Sequence, residues 1–129
     1  MPTDSIPHCP FCSIAQGHAP AVIMREWPDA LAIRPRRGGV HAAHALVIPR
    51  VHVADAAEDP IVTGAVMARA AELLAEHTDG NLITSRGVHS SQTVYHLHVH
   101  VVPRSESDGL PLPWTRQQQD RAARAVACG

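Results

Sequence analysis

Apolar positions fall in short runs separated by turn-forming residues along most of the chain. Ala21–Met24 and Ala30–Ile33 are two such runs, and Pro28-Asp29 between them is turn chemistry, so together they predict a hairpin. The loop Arg34–Val40, RPRRGGV, is rich in breakers, and Gly38-Gly39 permits backbone angles that other residues resist. A third strand is predicted over His44–Pro49. Asp59-Pro60 joins an N-cap residue to a proline suited to the first helical position. The helix it opens carries Ile61, Val62, Ala65, Val66, Leu73 and Leu74 at helical spacing, and Asp79-Gly80 is read as its close. Asn81–Ser85 and Thr93–Pro103 predict two further strands joined by the loop Arg86–Gln92. The connections suit antiparallel pairing, so the order strand, strand, strand, helix, strand, strand implies an α+β sheet with a helix on one face. We read residues 1–115 as one domain and 116–129 as a polar tail with helical potential.

Composition narrows this picture. At 129 residues and 45 % hydrophobic content, one core is expected and disorder is excluded. Eleven Lys plus Arg against twelve Asp plus Glu give a formal charge of -1, which argues against a sequence-independent nucleic-acid binder or a polybasic membrane ligand. Runs such as Ala45–Ile48 fall far short of the roughly 20 apolar residues of a membrane span. The N-terminal MPTDSIPHCP has neither a basic start nor an apolar core, so the expected location is cytoplasmic. Three cysteines, Cys9, Cys12 and Cys128, form an odd count that suits a reducing compartment. Ten histidines are the compositional anomaly.

Three of them alternate with apolar residues in Tyr95-His96-Leu97-His98-Val99-His100-Val101-Val102. In a strand, Leu97, Val99 and Val101 face one way and the three imidazoles the other. Such a set is a chelate for a divalent metal, and a neutral imidazole is also a nucleophile toward phosphorus; spacing does not separate the two. Cys9-x-x-Cys12 has the spacing of half a zinc site or of a redox pair, although the βαβ context of a thioredoxin-like motif is absent. Cys128 reads as an incidental thiol.

HLHVHVV resembles the signature of the histidine triad (HIT) family of nucleotide hydrolases and transferases. The likeness extends over roughly Cys9 to Arg104 and includes CPFCSIAQGHAPA, HALVIPRVH and Gln92-Thr93-Val94-Tyr95, the last similar to the Hint-like branch. It implies a five-stranded antiparallel sheet with helices, dimerising to a continuous sheet in many members, and a nucleotide or nucleotide-conjugate substrate. It also implies that His98 attacks the α-phosphorus to form a nucleotidyl-histidine, that His100 bonds the phosphate oxygens, and that His44 supports the nucleophile. Thr93 stands where Hint-like members carry a leaving-group serine. A structural zinc on Cys9, Cys12, His52 and His96 follows from the same resemblance, with His8 as an alternative ligand.

The chain departs from the family at the nucleoside. The Arg34–Gly39 loop lacks the aspartate that holds the ribose hydroxyls; that position falls on Arg36 or on Pro35 according to register, and Ser85 replaces an asparagine. Gln92, Ser85 and Arg36 are therefore the candidate substrate-binding residues. Arg34, Arg36 and Arg37 read either as a solvated loop or as contacts to an anionic substrate. Three functions stay open: an enzyme working through His98, a zinc-stabilised nucleotide-binding or interaction module with little turnover, and a metallohydrolase with zinc on His96, His98 and His100.

Overall fold

The computed structural model describes residue 6 and residues 8–37 and 39–114. Gly38, Cys128 and the 116–129 tail lie outside the described residues. The elements are α1 (Pro10–Ala15), β1 (Ile23–Glu26), β2 (Ala30–Ile33), β3 (Ala45–Pro49), α2 (Pro60–Leu74), β4 (Gly80–Ile83) and β5 (Val99–Pro103), with a 3-10 turn at Val88–Ser90. All five strands pair antiparallel in the spatial order β1-β2-β3-β5-β4, so the last strand inserts between β3 and β4.

Every residue of β2 and β3 is buried, because the centre of the sheet is covered on both faces. Ala30, Ala32, Ala45, Val47, Val99 and Val101 meet Val66, Ala70 and Leu73 of α2 on one face. Small residues there let the helix come close to the sheet. Leu31, Ile33, Leu46 and Ile48 alternate to the other face and pack on Phe11, Cys9 and Cys12 around α1. The expected single-helix cover is thus corrected by α1. At 6 residues it is too short to show a periodicity, and it is stabilised locally by Pro10 at its first turn and by Cys9 as N-cap.

α2 starts as expected: the Asp59 carboxylate accepts from Ile61 N at 3.0 Å and Val62 N at 3.3 Å. Its buried stripe is Val66, Ala70 and Leu73, with Val62 and Leu74 packed beside them, whereas Ile61 is 83 % exposed. The helix ends at Leu74, earlier than the expected Asp79-Gly80. Gly80 instead opens β4, where a Cβ would lie 2.7 Å from Leu74 Cδ1 and 3.3 Å from Val102 O; the missing side chain lets the end of α2 rest on the sheet.

The expected strand Thr93–Pro103 shortens to Val99–Pro103. β3 pairs with it only from Ala45↔Val101 to Val47↔Val99. Pro49 has no N–H to extend the ladder, and its carbonyl is taken by the His96 ring at 2.9 Å. Residues 96–98 are held otherwise, Leu97 N donating to Val53 O at 2.7 Å and Thr84 Oγ1 to His98 O at 2.8 Å. The alternation survives: Leu97, Val99 and Val101 are buried toward α2, while the histidines lie on the α1 side. Among the described residues no helix is long and apolar enough to cross a membrane.

Candidate functional site

Two clusters occupy the α1 side of the sheet. In the first, Cys9, Cys12, His52 and His96 bring one ligand atom each within 4.8 Å of one another. Cys9 Sγ lies 3.4 Å and Cys12 Sγ 3.5 Å from His96 Nδ1, and Cys12 Sγ lies 3.3 Å from His52 Nδ1. A tetrahedral zinc with bonds of about 2.3 Å to sulfur and about 2.0 Å to nitrogen sets sulfur and nitrogen about 3.5 Å apart, so these residues fit such an ion. The His96 Nε2–H donates to Pro49 O, which leaves Nδ1 as the bare nitrogen aimed at the thiols. Burial, aided by the charges of His52 and His98 and opposed by the Pro49 bond, pulls the His96 pKa down to about 4, so the ring is in the neutral form that a metal needs. Burial raises the Cys12 thiol, while the Ile6 N–H at 3.4 Å lowers it. A cation at the cluster favours the thiolate. His8 is exposed and not part of the cluster.

The second cluster is a relay of imidazoles. Val40 N–H donates to His44 Nδ1 at 3.3 Å, so the neutral His44 carries its proton on Nε2. That nitrogen lies 3.0 Å from His100 Nδ1 and donates to it, which puts the His100 proton on Nε2. His98 is set the other way. Its Nδ1–H donates to His96 O at 2.8 Å, so Nε2 carries a free lone pair. The His98 and His100 rings are neighbours, 5.3 Å apart between centroids, one with a bare Nε2 and the other with an Nε2–H. Burial, with the neighbouring charges of His98 and His44, lowers His100 to about 4; burial and then the charge of His41 lower His44. Both are neutral at neutral pH.

The structure therefore brings together His44, His98 and His100 in one cluster and the four expected metal ligands in the other. Among the described residues, His96, His98 and His100 do not form a metal-binding set, so the reading of the triad itself as a metallohydrolase centre is set aside. Gln92 is buried with its amide in use: the oxygen accepts from Gly87 N at 2.8 Å and the nitrogen donates to Ala54 O at 2.8 Å and Val94 O at 3.1 Å. This clamps the loop whose exposed end carries Thr93. Ser85 is half-buried beyond the end of β4, and Arg36 is exposed on the loop before His44.

Two positioning residues escaped the sequence reading. Phe11 meets His96 and His98 edge-on, with centroids 5.8 and 5.2 Å away. Thr84 bonds the backbone of His98. The pairing Ile83↔His100 puts Thr84 beside that backbone, a relation legible only once the register is known.

Comparison with known proteins agrees with this geometry. The HIT domain family model matches residues 16–107. The chain is similar to an adenylylsulfatase of Arabidopsis thaliana, 31 % identical over 109 residues that make up 79 % of this chain and 55 % of the relative; it spans about half that relative's length. It is also similar to an adenosine 5'-monophosphoramidase of Saccharomyces cerevisiae, 32 % identical over 120 residues covering 87 % of this chain and 73 % of the relative. Among solved structures, a Zn-bound histidine triad family protein from Mycobacterium smegmatis superposes with a TM-score of 0.71 at 32 % identity, over 92 % of each chain. With the matched domain spanning all five strands and the three-histidine run leading into β5, the chain belongs to the histidine triad (HIT) family.

Proposed function

We propose that this protein is a nucleotide hydrolase or nucleotidyl transferase that acts at the α-phosphorus through a nucleotidyl-histidine on His98. The observation that carries the reading is the pair of opposed tautomers on neighbouring rings 5.3 Å apart between centroids: the Nδ1–H bond of His98 leaves its Nε2 bare, and the bond accepted at His100 Nδ1 leaves its Nε2–H to donate. Similarity to an adenylylsulfatase and an adenosine 5'-monophosphoramidase supports a nucleotide substrate.

The lone pair of His98 attacks phosphorus, the bond to the leaving group breaks, and the leaving group departs with the electron pair and takes up a proton from solvent. His98 is then a phosphorylated imidazolium, and the carbonyl of His96 stabilises its positive charge through the Nδ1–H bond. The neutral His100 donates its Nε2–H to a phosphoryl oxygen, stabilising the charge that develops there. Water or another acceptor attacks the same phosphorus and returns His98 to its starting form. Thr93 supplies a hydroxyl on the exposed loop for the leaving group, with Gln92 holding that loop; Ser85 and Arg36 are the proposed nucleoside-side contacts.

Zinc on Cys9, Cys12, His52 and His96 would act as a cross-link tying the N-terminal arm to β3 and the histidine run. Cys9 and Cys12 form no disulfide, which suits a reducing, cytoplasmic setting. We further propose a homodimer, supported by the edge position of β4 and the exposure of its Ile83; light scattering at micromolar concentration checks it. Rapid quench of zinc-loaded protein with radiolabelled adenosine 5'-phosphoramidate is expected to trap an acid-labile, base-stable adduct on His98. Binding with neither adduct nor turnover would establish the non-catalytic module instead.

A further inference from the structure

All eleven basic residues of the chain are arginines. Five of those in the described residues are neutralised by carboxylates: Arg25 by Glu76, Arg50 by Glu26, Arg69 by Asp29 and Glu72, Arg86 by Asp55 and Arg104 by Asp108. The other described arginines are Arg34, Arg36 and Arg37, which sit within four consecutive positions. Among the described residues no carboxylate pairs with any of them. Like charges gathered without counter-ions repel, and a fold that pairs its other described arginines leaves these three where an anion would relieve the repulsion.

Their surroundings are concave. Arg34, Arg36 and Arg37 line an open surface cavity of about 500 Å³ together with Pro35, Val40 and His41, room enough for a phosphate group. The loop is anchored at its far end, where an Arg34 Nη2–H donates to Ala42 O at 3.2 Å. It is also joined to the imidazole relay, because Val40, which lines this cavity, donates the N–H that sets the tautomer of His44. One imidazole, His44, separates the cavity wall from His100.

We propose that this cavity binds a second phosphate carried by the nucleotide substrate, so that the protein prefers nucleotides bearing a phosphate besides the one attacked by His98. The inference rests on the proposed nucleotide reading and deepens it. Guanidinium groups suit this ligand because their planar forks donate two parallel hydrogen bonds to phosphate oxygens. The second phosphate has two chemical sources, the ribose 2'- or 3'-position or the β-position beyond the α-phosphorus.

Isothermal titration of the full-length, zinc-loaded protein with AMP, adenosine 3',5'-bisphosphate and ADP tests the proposal and separates the sources. At least tenfold tighter binding than AMP is expected for one bisphosphorylated ligand: adenosine 3',5'-bisphosphate if the cavity reads the ribose, ADP if it reads the leaving-group side. In the double variant Arg36→Ala, Arg37→Ala the ratio is expected to fall below twofold. Arg25→Ala removes one positive charge elsewhere and is expected to leave the ratio intact. Equal affinity for the three ligands, or equal loss of the ratio in Arg25→Ala, would overturn the cavity assignment. Turnover of adenosine 5'-phosphoramidate, measured in parallel, keeps the readings apart: cleavage without a binding preference removes the cavity alone, and a preference without cleavage removes the hydrolase reading alone.

Discussion

His96 and His98 stand two residues apart on one face of the same run, and both meet the edge of Phe11, yet their rings are wired in opposite senses. His96 is wholly buried and uses both nitrogens, Nε2–H on the Pro49 carbonyl and Nδ1 toward two thiols. His98 is half-buried and uses one, Nδ1–H on the His96 carbonyl, so its Nε2 remains available. The same side chain is thus a candidate metal ligand in one place and a candidate nucleophile in the other, and the contact made by the remaining ring nitrogen decides which.

Exchanging the two roles by mutation tests this contrast most severely. His98→Ala is expected to lower turnover by about 10⁴-fold or more, as removal of a nucleophile does, while metal content and thermal midpoint stay close to wild type. Loss of zinc from that variant in elemental analysis would mean that the two histidines share one site.

The converse experiment is Cys12→Ala. It is expected to abolish stoichiometric zinc and to remove the stabilisation that binding supplies, about 4 kcal/mol where free zinc stands a thousandfold above its Kd. Urea unfolding with and without a chelator measures this: the wild type should respond to the chelator and the variant should not. A chelator-insensitive wild type would leave the cluster without a structural metal.

A smaller effect is expected from His44→Phe, which removes the donor to His100 Nδ1 but keeps an aromatic ring. Losing one hydrogen bond of roughly 1–1.5 kcal/mol corresponds to about a tenfold fall in kcat with zinc retained. An unchanged kcat would show that His100 needs no support from the relay.

The smallest effect is on stability in acid. Burial holds the His100 pKa at about 4 in the folded chain against the ordinary 6.5 of an unfolded histidine, so the unfolded state binds more protons between these limits. Stability is therefore expected to fall as pH drops from 6.5 toward 4, with His44 acting in the same direction. At saturating zinc, the urea midpoint of His100→Asn should drop less between pH 7 and pH 5 than that of the wild type. Equal drops would assign the acid sensitivity to other groups.

How much of this was legible in advance differs between the fold and the site. The apolar alternation at Leu97, Val99 and Val101 predicted which side faces the helix, and it held even where the backbone leaves the ladder, because burial of those three residues constrains the chain as strongly as strand pairing does. The strand itself was overread by six residues. Pro49 on the neighbouring strand cannot donate and its carbonyl is occupied, a partner's property that the run from Thr93 to Pro103 does not contain. Helix α1, which carries Phe11, is too short to show a period, and the place of Thr84 depends on the β4–β5 register.

By itself the sequence determined the local chemistry of this protein: the alternating histidines, the Cys9-x-x-Cys12 pair, the Asp59-Pro60 helix start and the run of arginines in one loop. These are patterns of spacing and residue type, which backbone periodicity and capping convert directly into faces and turns. The tertiary structure alone decided that β5 lies between β3 and β4, which carries the relay from His44 to His100, and that Cys9, the cap of the N-terminal helix, reaches His96 across 87 positions of sequence. It also decided which nitrogen of each ring is bare. A tautomer depends on a hydrogen-bond partner: Val40, four positions away, sets that of His44, but the partner of His100 is His44 itself, met across the β3–β5 pairing, where contact is set by sheet register and core packing and not by neighbouring residues.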